Sequence, residues 1–440
     1  MPLKTLFAAA TSLSLLLSPP APCDNARLDQ FLDRLAAKNK GMGSLTLARD
    51  GTVLYSHSFG YSHVDGTDKR LATAATKYRI ASITKTYTAV MIFQLVDEGK
   101  LKLTDTLDRF FPQIPNAKKI SIAHILAHRS GIHDLEPDGS WGHQARTRDE
   151  IVARIAQGEP DFEPDAKYQY SNAGYNLLGQ IVEKVAGRPY NEALNDRVTS
   201  KIGLKDTYLI SVGGTDPAKN EATSYGYFDG YRQTNELDFS VTGGAGSIVS
   251  TPSDMTKFIQ AVFDLKLVSA GSLEQMTTMR NGEGMGLEAF SFAGKTLYGH
   301  TGGSFSSGAW LAYDPEEKLA LAYATNMKIY TVANIVSGIF DIFWNRPFEI
   351  PTFDALELRP EVLDRYAGVY SADGAPNKLT ISRRGNALYF QPGNQSAVSL
   401  EAISENRFKI DPGVFFEFDA AKGTMTITRP NGERTFMKEK

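Results

Sequence analysis

Hydrophobic and polar positions repeat with different periods in different parts of the chain. From Ile83 to Val96 apolar residues fall on nearly every side of a helical projection, which predicts a helix buried in the interior. From Arg27 to Lys38 they recur every three or four residues, which predicts an amphipathic helix. Residues 44–48 and 52–59 are joined by a turn sequence and predict a β-hairpin.

Strand patterns return late in the sequence. Apolar or alternating runs at residues 296–299, 308–313 and 319–325 predict strands, and a helix is predicted from about Val332 to Phe343. The stretch between the hairpin and these strands is mainly helical and loop-like. A hairpin at the start and strands at the end predict one antiparallel sheet flanked by helices, together with an all-helical region.

The pattern changes character again after residue 346. Three prolines between residues 347 and 360 mark a linker, and the segment beyond them consists of short alternating runs separated by turns. About eight strands at this spacing predict a small β-barrel or sandwich. We therefore predict an α+β domain at residues 24–346, a linker at 347–360 and a small β-barrel domain at 361–440.

Length and charge agree with this division and limit the partners. A chain of 440 residues exceeds what one hydrophobic core usually serves, which favours two domains. The net charge is -3 and the sequence pI is about 6.2, without an evident basic patch. These values argue against nucleic acid as a partner.

The N-terminal segment has the pattern of an export signal. A lysine at residue 4 precedes an apolar run from Leu6 to Leu17, followed by prolines and small residues up to Cys23. This predicts a signal peptide at residues 1–23 and a periplasmic or secreted protein; the alternative is a buried N-terminal helix. The run is too short to span a bilayer, and no other stretch predicts a transmembrane segment. Cys23 is the only cysteine, which excludes an internal disulfide, and Pro22 disfavours a lipid anchor there.

Ser82 and Lys85 begin the predicted buried helix and carry the first candidate chemistry. Residues three apart lie on one helix face, so the hydroxyl and the amine can meet. Burial lowers the pKa of a lysine, and the neutral amine can then take a proton from the serine. The competing interpretation is an N-cap serine beside an ordinary surface lysine.

Two further segments add candidate groups. Tyr170 and Asn172 precede a predicted helix ending at Gly187; Asn172 occupies the expected N-cap position, and Tyr170 projects from the loop before it, where a phenol can share a proton with an amine. Farther on, a predicted strand ends in Gly302 and Gly303, and the Gly303 N–H can pair with that of Ser82 to hold an oxyanion. A plain glycine turn is the alternative.

Three ordered motifs, Ser82-Ile-Thr-Lys85, Tyr170-Ser-Asn172 and His300-Thr-Gly302, resemble those of the penicillin-recognising serine hydrolases. This family includes class C β-lactamases, D-Ala-D-Ala carboxypeptidases, D-aminopeptidases and esterases. The resemblance covers roughly residues 28 to 345. The C-terminal segment resembles, in strand number and position alone, the lipocalin-like barrel of some relatives.

The resemblance implies a role for each matching residue. Ser82 is the acylated nucleophile, Lys85 its activating partner, and Tyr170 the proton shuttle. Asn172 orients Lys85 and the substrate amide. The remaining expected substrate-binding residues are His300, Thr301, Gly302 and Gly303, the last also completing the oxyanion hole. No cofactor or metal is required.

His300 is the informative departure from the family pattern. Many β-lactamases carry lysine there to hold the substrate carboxylate, whereas histidine is mostly neutral at pH 7. The predicted function is therefore acyl-enzyme hydrolysis of small amides or esters, foremost short D-residue peptides. The alternatives are a β-lactamase and a non-catalytic binding protein. A zinc site at His124, His128 and His133, with Asp134 nearby, is a weaker possibility, because no His-Glu-x-x-His pattern accompanies them.

Overall fold

A computed structural model describes most of the chain after the predicted signal peptide. The described residues are 24–135, 141–210, 215–227, 230–280, 282–354, 356–375, 377–393, 397–410, 414–429 and 432–439. Residues 1–23, with Cys23, lie outside them. Within these ranges, no helix combines the length and apolar character needed to cross a membrane.

Helices dominate the middle of the chain. The α-helices are Asn25–Ala37, Thr84–Asp97, Ile122–Leu126, Arg148–Ala156, Asn172–Ala186, Tyr190–Leu194, Ser200–Ile202, Phe239–Thr242, Pro252–Phe263, Ala270–Thr277, Val332–Phe343 and Pro360–Asp364. A π-helical turn spans Asn195–Thr199. Short 3-10 turns are Ala81–Ile83, Leu107–Arg109, Trp141–His143, Pro217–Lys219 and Gly243–Ala245.

The predicted antiparallel sheet is confirmed, with one further edge strand. Its six strands, in spatial order, are Glu288–Phe292, Lys295–Gly303, Gly308–Asp314, Leu319–Lys328, Gly41–Arg49 and Thr52–Phe59. Outside it, among the described residues, Tyr61–Asp65 pairs with Asp68–Leu71, and Tyr225–Tyr227 pairs with Tyr231–Gln233. A three-stranded sheet has the spatial order Tyr78–Arg79, Ile248–Ser250, Tyr208–Leu209. The N-terminal hairpin joins the late strands because Gly41–Arg49 pairs with Leu319–Lys328.

Period-two alternation divides the sheet between two cores. In strand Leu319–Lys328, Leu321 and Tyr323 face the amphipathic helices Asn25–Ala37 and Val332–Phe343. The alternate residues are alanines, such as Ala322, and face the core that contains the helix Thr84–Asp97. Small side chains on that face leave room for helices to pack closely.

The predicted buried helix, Thr84–Asp97, lies at the centre of the larger core. Every residue from Thr84 to Leu95 is buried, so the absence of a polar face in the sequence reflects contact on all sides. Gly99 has a φ of +71°, a left-handed conformation that glycine adopts without strain and that ends the helix.

The C-terminal segment forms a closed antiparallel barrel, as the short alternating runs predict. Its eight strands are Gly368–Ser371, Leu379–Arg384, Ala387–Pro392, Val398–Ala402, Arg407–Ile410, Val414–Asp419, Thr424–Arg429 and Gly432–Lys438. The helix Pro360–Asp364 contributes Leu363 to the barrel core. The side chain of Lys40 forms an ion pair with Glu401, which connects the barrel to the preceding domain.

Candidate active site

Ser82 lies in a strained turn at the start of the buried helix. The turn Ala81–Ile83 leads directly into Thr84–Asp97, and Ala81 has a φ of +44°, a left-handed conformation that costs about 1–3 kcal/mol for a residue with a side chain. The strand Lys295–Gly303 packs against this turn. A Cβ on Gly302 would lie 2.1 Å from the Ile80 carbonyl oxygen, so this close approach requires glycine.

Lys85 is completely buried beside Ser82. Its Nζ lies 3.0 Å from Ser82 Oγ, 2.8 Å from Asn172 Oδ1 and 3.0 Å from the Ala245 carbonyl oxygen. All three partners are uncharged. Burial lowers the pKa of Lys85 to about 7, although the negative charges of Asp134 and Glu288 oppose the shift. A neutral amine is therefore well populated near pH 7.

Tyr170 completes the contact with Ser82. Its phenol hydrogen-bonds to the Ser82 side chain, and its ring lies below Lys85, with Nζ 4.7 Å from the ring centroid. Burial raises the pKa of Tyr170 well above its ordinary value, so the phenol keeps its proton. His128 stacks on the ring at 4.4 Å and accepts the Ser171 N–H through Nδ1, which holds the tyrosine loop in place.

Asn172 is the first helical residue, and not the N-cap that the sequence pattern predicts. Ser171 takes the N-cap position, because its hydroxyl accepts the Gly174 N–H. The Asn172 side chain instead connects Lys85 to Asp134: its Oδ1 accepts from Lys85, and its Nδ2 donates to Asp134 at 3.1 Å. The predicted end of this helix at Gly187 is confirmed.

His300 is buried, and the half-buried Thr301 follows it in the strand Lys295–Gly303. His300 is 2% exposed, and burial lowers its pKa to about 3, so the ring is neutral. Its Nδ1 donates to the Thr301 carbonyl and lies 3.4 Å from Glu288 Oε1. The other Glu288 oxygen accepts the Thr301 N–H at 2.9 Å. Burial raises the pKa of Glu288.

The Ser82 turn opens into a cavity of about 410 Å³. Of the residues predicted for the site, those that line it are Ser82, Tyr170, Asn172 and Gly303, and those that do not are Lys85, His300, Thr301 and Gly302. Much of the remaining wall is apolar and is formed by Leu135, Leu237, Phe239, Val241 and Phe305. The cavity therefore suits a small substrate with an apolar group.

An ion pair forms another part of the wall of this cavity. Arg79 Nη1 lies 2.9 Å from Glu236 Oε2, and the two side chains are 7% and 11% exposed. The guanidinium also stacks on Phe239 at 3.6 Å and donates to the Leu237 carbonyl. Glu236 further accepts a hydrogen bond from the Ser304 hydroxyl.

Four residues at the site were not predicted to take part in it: Arg79, Glu236, Glu288 and Asp134, the last considered only as a neighbour of the possible zinc ligands. Arg79 lies three residues before Ser82, close to the first motif. Its partner Glu236 lies in a loop far along the chain, so the sequence does not indicate that the two side chains pair. The three histidines considered for zinc have separate contacts: His124 caps a helix start, His128 stacks on Tyr170, and His133 pairs with Asp161. Among the described residues no cluster of metal-ligand side chains occurs.

The fold is an antiparallel sheet flanked by helices, and a serine contacts a lysine at the start of one helix. This combination defines a class of acyl-transferring proteins. The Beta-lactamase family model matches residues 28–332, about two thirds of the sequence. The chain belongs to this family.

Curated and solved relatives agree with that assignment. The chain is 27% identical over 415 residues to Penicillin-binding protein 4* of Bacillus subtilis, covering 87% of this chain and 90% of the relative. The structure of D-amino acid amidase from Ochrobactrum anthropi with D-phenylalanine is similar at a TM-score of 0.65 and 28% identity, covering 73% of this chain and 99% of the amidase. The structure of an octameric penicillin-binding protein homologue from Pyrococcus abyssi is similar at a TM-score of 0.64, and the match covers 94% of this chain and 100% of the homologue. At 22% identity, that last likeness concerns the fold alone.

Proposed function

We propose that this protein is an exported serine hydrolase that forms an acyl-enzyme at Ser82 on amide or ester bonds of small substrates. The observation that carries the proposal is the 3.0 Å contact between Ser82 Oγ and the Nζ of Lys85, a buried amine whose pKa is lowered to about 7. An amine that is neutral at working pH can accept the serine proton as the hydroxyl attacks. Export rests on the N-terminal sequence pattern.

In the proposed reaction, Ser82 Oγ attacks the substrate carbonyl carbon and its proton passes to Lys85 Nζ. The carbonyl oxygen becomes an oxyanion held by the N–H groups of Ser82 and Gly303. The Tyr170 phenol gives its proton to the departing amine or alkoxide and is reprotonated from Lys85. A water molecule then attacks the acyl carbon by the same proton route in reverse, which releases the acid and restores Ser82.

The electrostatics of the site favour acyl donors without a carboxylate near the reacting bond. His300 is neutral, and the Arg79 charge is already paired with Glu236. The apolar wall of the cavity fits a hydrocarbon or aromatic side chain. Together with the likeness to a D-amino acid amidase, these features support amides and short peptides of D-residues.

Acylation by β-lactams is the second proposed activity, and the observation that favours it is the extensive likeness to a penicillin-binding protein. A β-lactam offers a strained amide to the same serine. The weak carboxylate anchoring described above predicts slow acylation and no efficient turnover.

Labelling at Ser82 tests the proposal directly. The purified protein is incubated with a fluorophosphonate or a penicillin and examined by intact mass, and turnover is measured on D- and L-amino-acid amides and nitrophenyl esters. We expect one adduct on the wild-type protein and none on Ser82→Ala, with Ser200→Ala as a matched control that still labels. An unlabelled, inactive wild type would instead indicate a binding protein.

A further inference from the structure

A second cavity adjoins the first, with the same two charged residues in the wall between them. It has a volume of about 280 Å³. Arg79, Glu236 and Leu237 line both cavities, and the rest of the second lining is almost entirely polar. Glu236 therefore borders both the apolar cavity that opens at Ser82 and the polar cavity beside it.

Several buried polar atoms around the second cavity lack partners. Glu236 Oε1, Arg79 Nε and Thr234 Oγ1 are shielded from solvent and make no hydrogen bond with the described residues. Glu236 Oε2, in contrast, already accepts from Arg79 and Ser304. An unsatisfied buried polar group costs about 1–3 kcal/mol, so each of these atoms favours a ligand or a water that supplies the missing hydrogen bond.

The charge of the lining selects among possible ligands. The described lining contains the carboxylates of Glu236 and Asp238 and the guanidinium of Arg79. These three side chains together carry one net negative charge. Asp238 is occupied, because its Oδ1 accepts the Ser240 N–H and hydroxyl at the start of a helix. Lys328 interacts electrostatically with Glu236 but lines neither cavity. The free acceptor is therefore Glu236 Oε1.

We propose that Glu236 and the polar cavity behind it form a subsite for a primary ammonium group, so that the acyl donors used by Ser82 carry a free amine. A charged N–H donor satisfies the unpaired carboxylate oxygen and balances the negative lining, which a neutral donor does only in part. The proposal narrows the function proposed above and rests on it: the substrates are amino-acid amides or amino-terminated short peptides, and N-acylated analogues bind poorly.

Binding of two molecules of equal shape tests the subsite without requiring catalysis. Affinities of 2-phenylethylamine and 2-phenylethanol are measured by titration calorimetry on the wild-type protein, Glu236→Gln and the exposed-site control Glu316→Gln. We expect the wild type and the control to bind the amine at least tenfold more tightly than the alcohol. In Glu236→Gln the preference should fall below about threefold while alcohol binding persists.

The subsite would be overturned if the wild-type protein bound the amine and the alcohol with equal affinity, or if Glu236→Gln kept the preference for the amine. A folded Glu236→Gln protein that lost affinity for both ligands equally would also overturn it. If Glu236→Gln does not fold, Thr234→Val serves as the second variant, with amine affinity expected to fall two- to fivefold and alcohol affinity unchanged; an unchanged amine affinity there counts against the proposal. Ser82 labelling reports the hydrolase function separately, so either proposal can fail without the other.

Discussion

Two buried basic residues lie three positions before and three positions after Ser82 in the sequence, and the protein holds them in opposite ways. Lys85 contacts only uncharged oxygens, from Ser82, Asn172 and Ala245, and its pKa falls to about 7 because burial is not offset by a contacting carboxylate. Arg79 is nearly as buried but forms an ion pair with Glu236, and its pKa is lowered only to about 10.

The difference shows how one small region can contain both a proton acceptor and a fixed charge. Burial disfavours the charged form of either residue, and a carboxylate in contact restores it. Asp134 contacts Asn172 rather than Lys85, so its charge raises the pKa of the amine from a distance without forming an ion pair. The carboxylate position, rather than the depth of burial, separates the two roles.

The largest expected effect is on activity when Lys85 is given a permanent charge. Lys85→Arg keeps a buried cation but removes the ability to accept a proton near neutral pH, so kcat/KM on a nitrophenyl ester should fall about 1,000-fold. Steady-state kinetics on the purified variant measure the loss.

Arg79→Lys is the matched control for this experiment. It exchanges the other cation and keeps a positive charge beside Glu236, so we expect less than a tenfold loss. If Lys85→Arg retained more than a tenth of wild-type activity, proton acceptance by Lys85 would be excluded and the comparison of the two cations would lose its basis.

The second effect is on stability when the ion pair is broken. Arg79→Met leaves the Glu236 carboxylate buried without its partner, which should lower the free energy of unfolding by about 3–5 kcal/mol. The double variant Arg79→Met, Glu236→Met removes both charges and should recover at least half of that loss. Urea unfolding of the single and double variants gives the coupling, and purely additive losses would contradict a paired role.

The third effect is the pH dependence that follows from Lys85. Because the amine must be neutral to accept a proton, kcat/KM should fall about tenfold per pH unit below a midpoint near 7. Unfolded lysine has the ordinary pKa of 10.5, so the unfolded chain binds more protons between pH 7 and 10.5, and stability should rise with pH across that window.

Activity profiles and urea unfolding from pH 5 to 10.5 measure both curves. Lys85→Met should lack the rise in stability, because it has no amine to titrate. An activity midpoint above pH 9 in the wild type would show that burial does not depress the pKa of Lys85.

The sequence predicts the local part of this arrangement and not the remote part. Helix geometry alone brings residues 82 and 85 together, and the apolar run around them predicts the burial that alters the lysine. The antiparallel sheet and the barrel also follow from alternation and turn spacing. Periodicity is short-range information: it predicts the helices and strands themselves, whereas the pairing of Gly41–Arg49 with Leu319–Lys328 joins segments far apart in the chain.

The remote part comes from loops and edges whose sequences carry no pattern. Asp134, Glu236 and Glu288 reach the site from three separate segments, and nothing near them distinguishes them from surface carboxylates. For a related reason, the sequence pattern places the N-cap of the helix Asn172–Ala186 one residue too late. Both Ser171 and Asn172 are good N-caps, and the contacts of Asn172 with Lys85 and Asp134 decide between them only in three dimensions.

The smallest expected effect concerns a third cation that has a carboxylate partner but is not fully buried. Lys40 forms an ion pair with Glu401 of the barrel, and the two side chains are 16% and 17% exposed. Partial solvation screens such a pair, so Lys40→Met should change the free energy of unfolding by about 1 kcal/mol or less and leave Ser82 labelling unchanged. Urea unfolding and probe labelling, compared with Arg79→Met, measure the two effects. A loss as large as that of Arg79→Met would mean that pairing matters for stability without regard to burial, contrary to what the two cations beside Ser82 indicate.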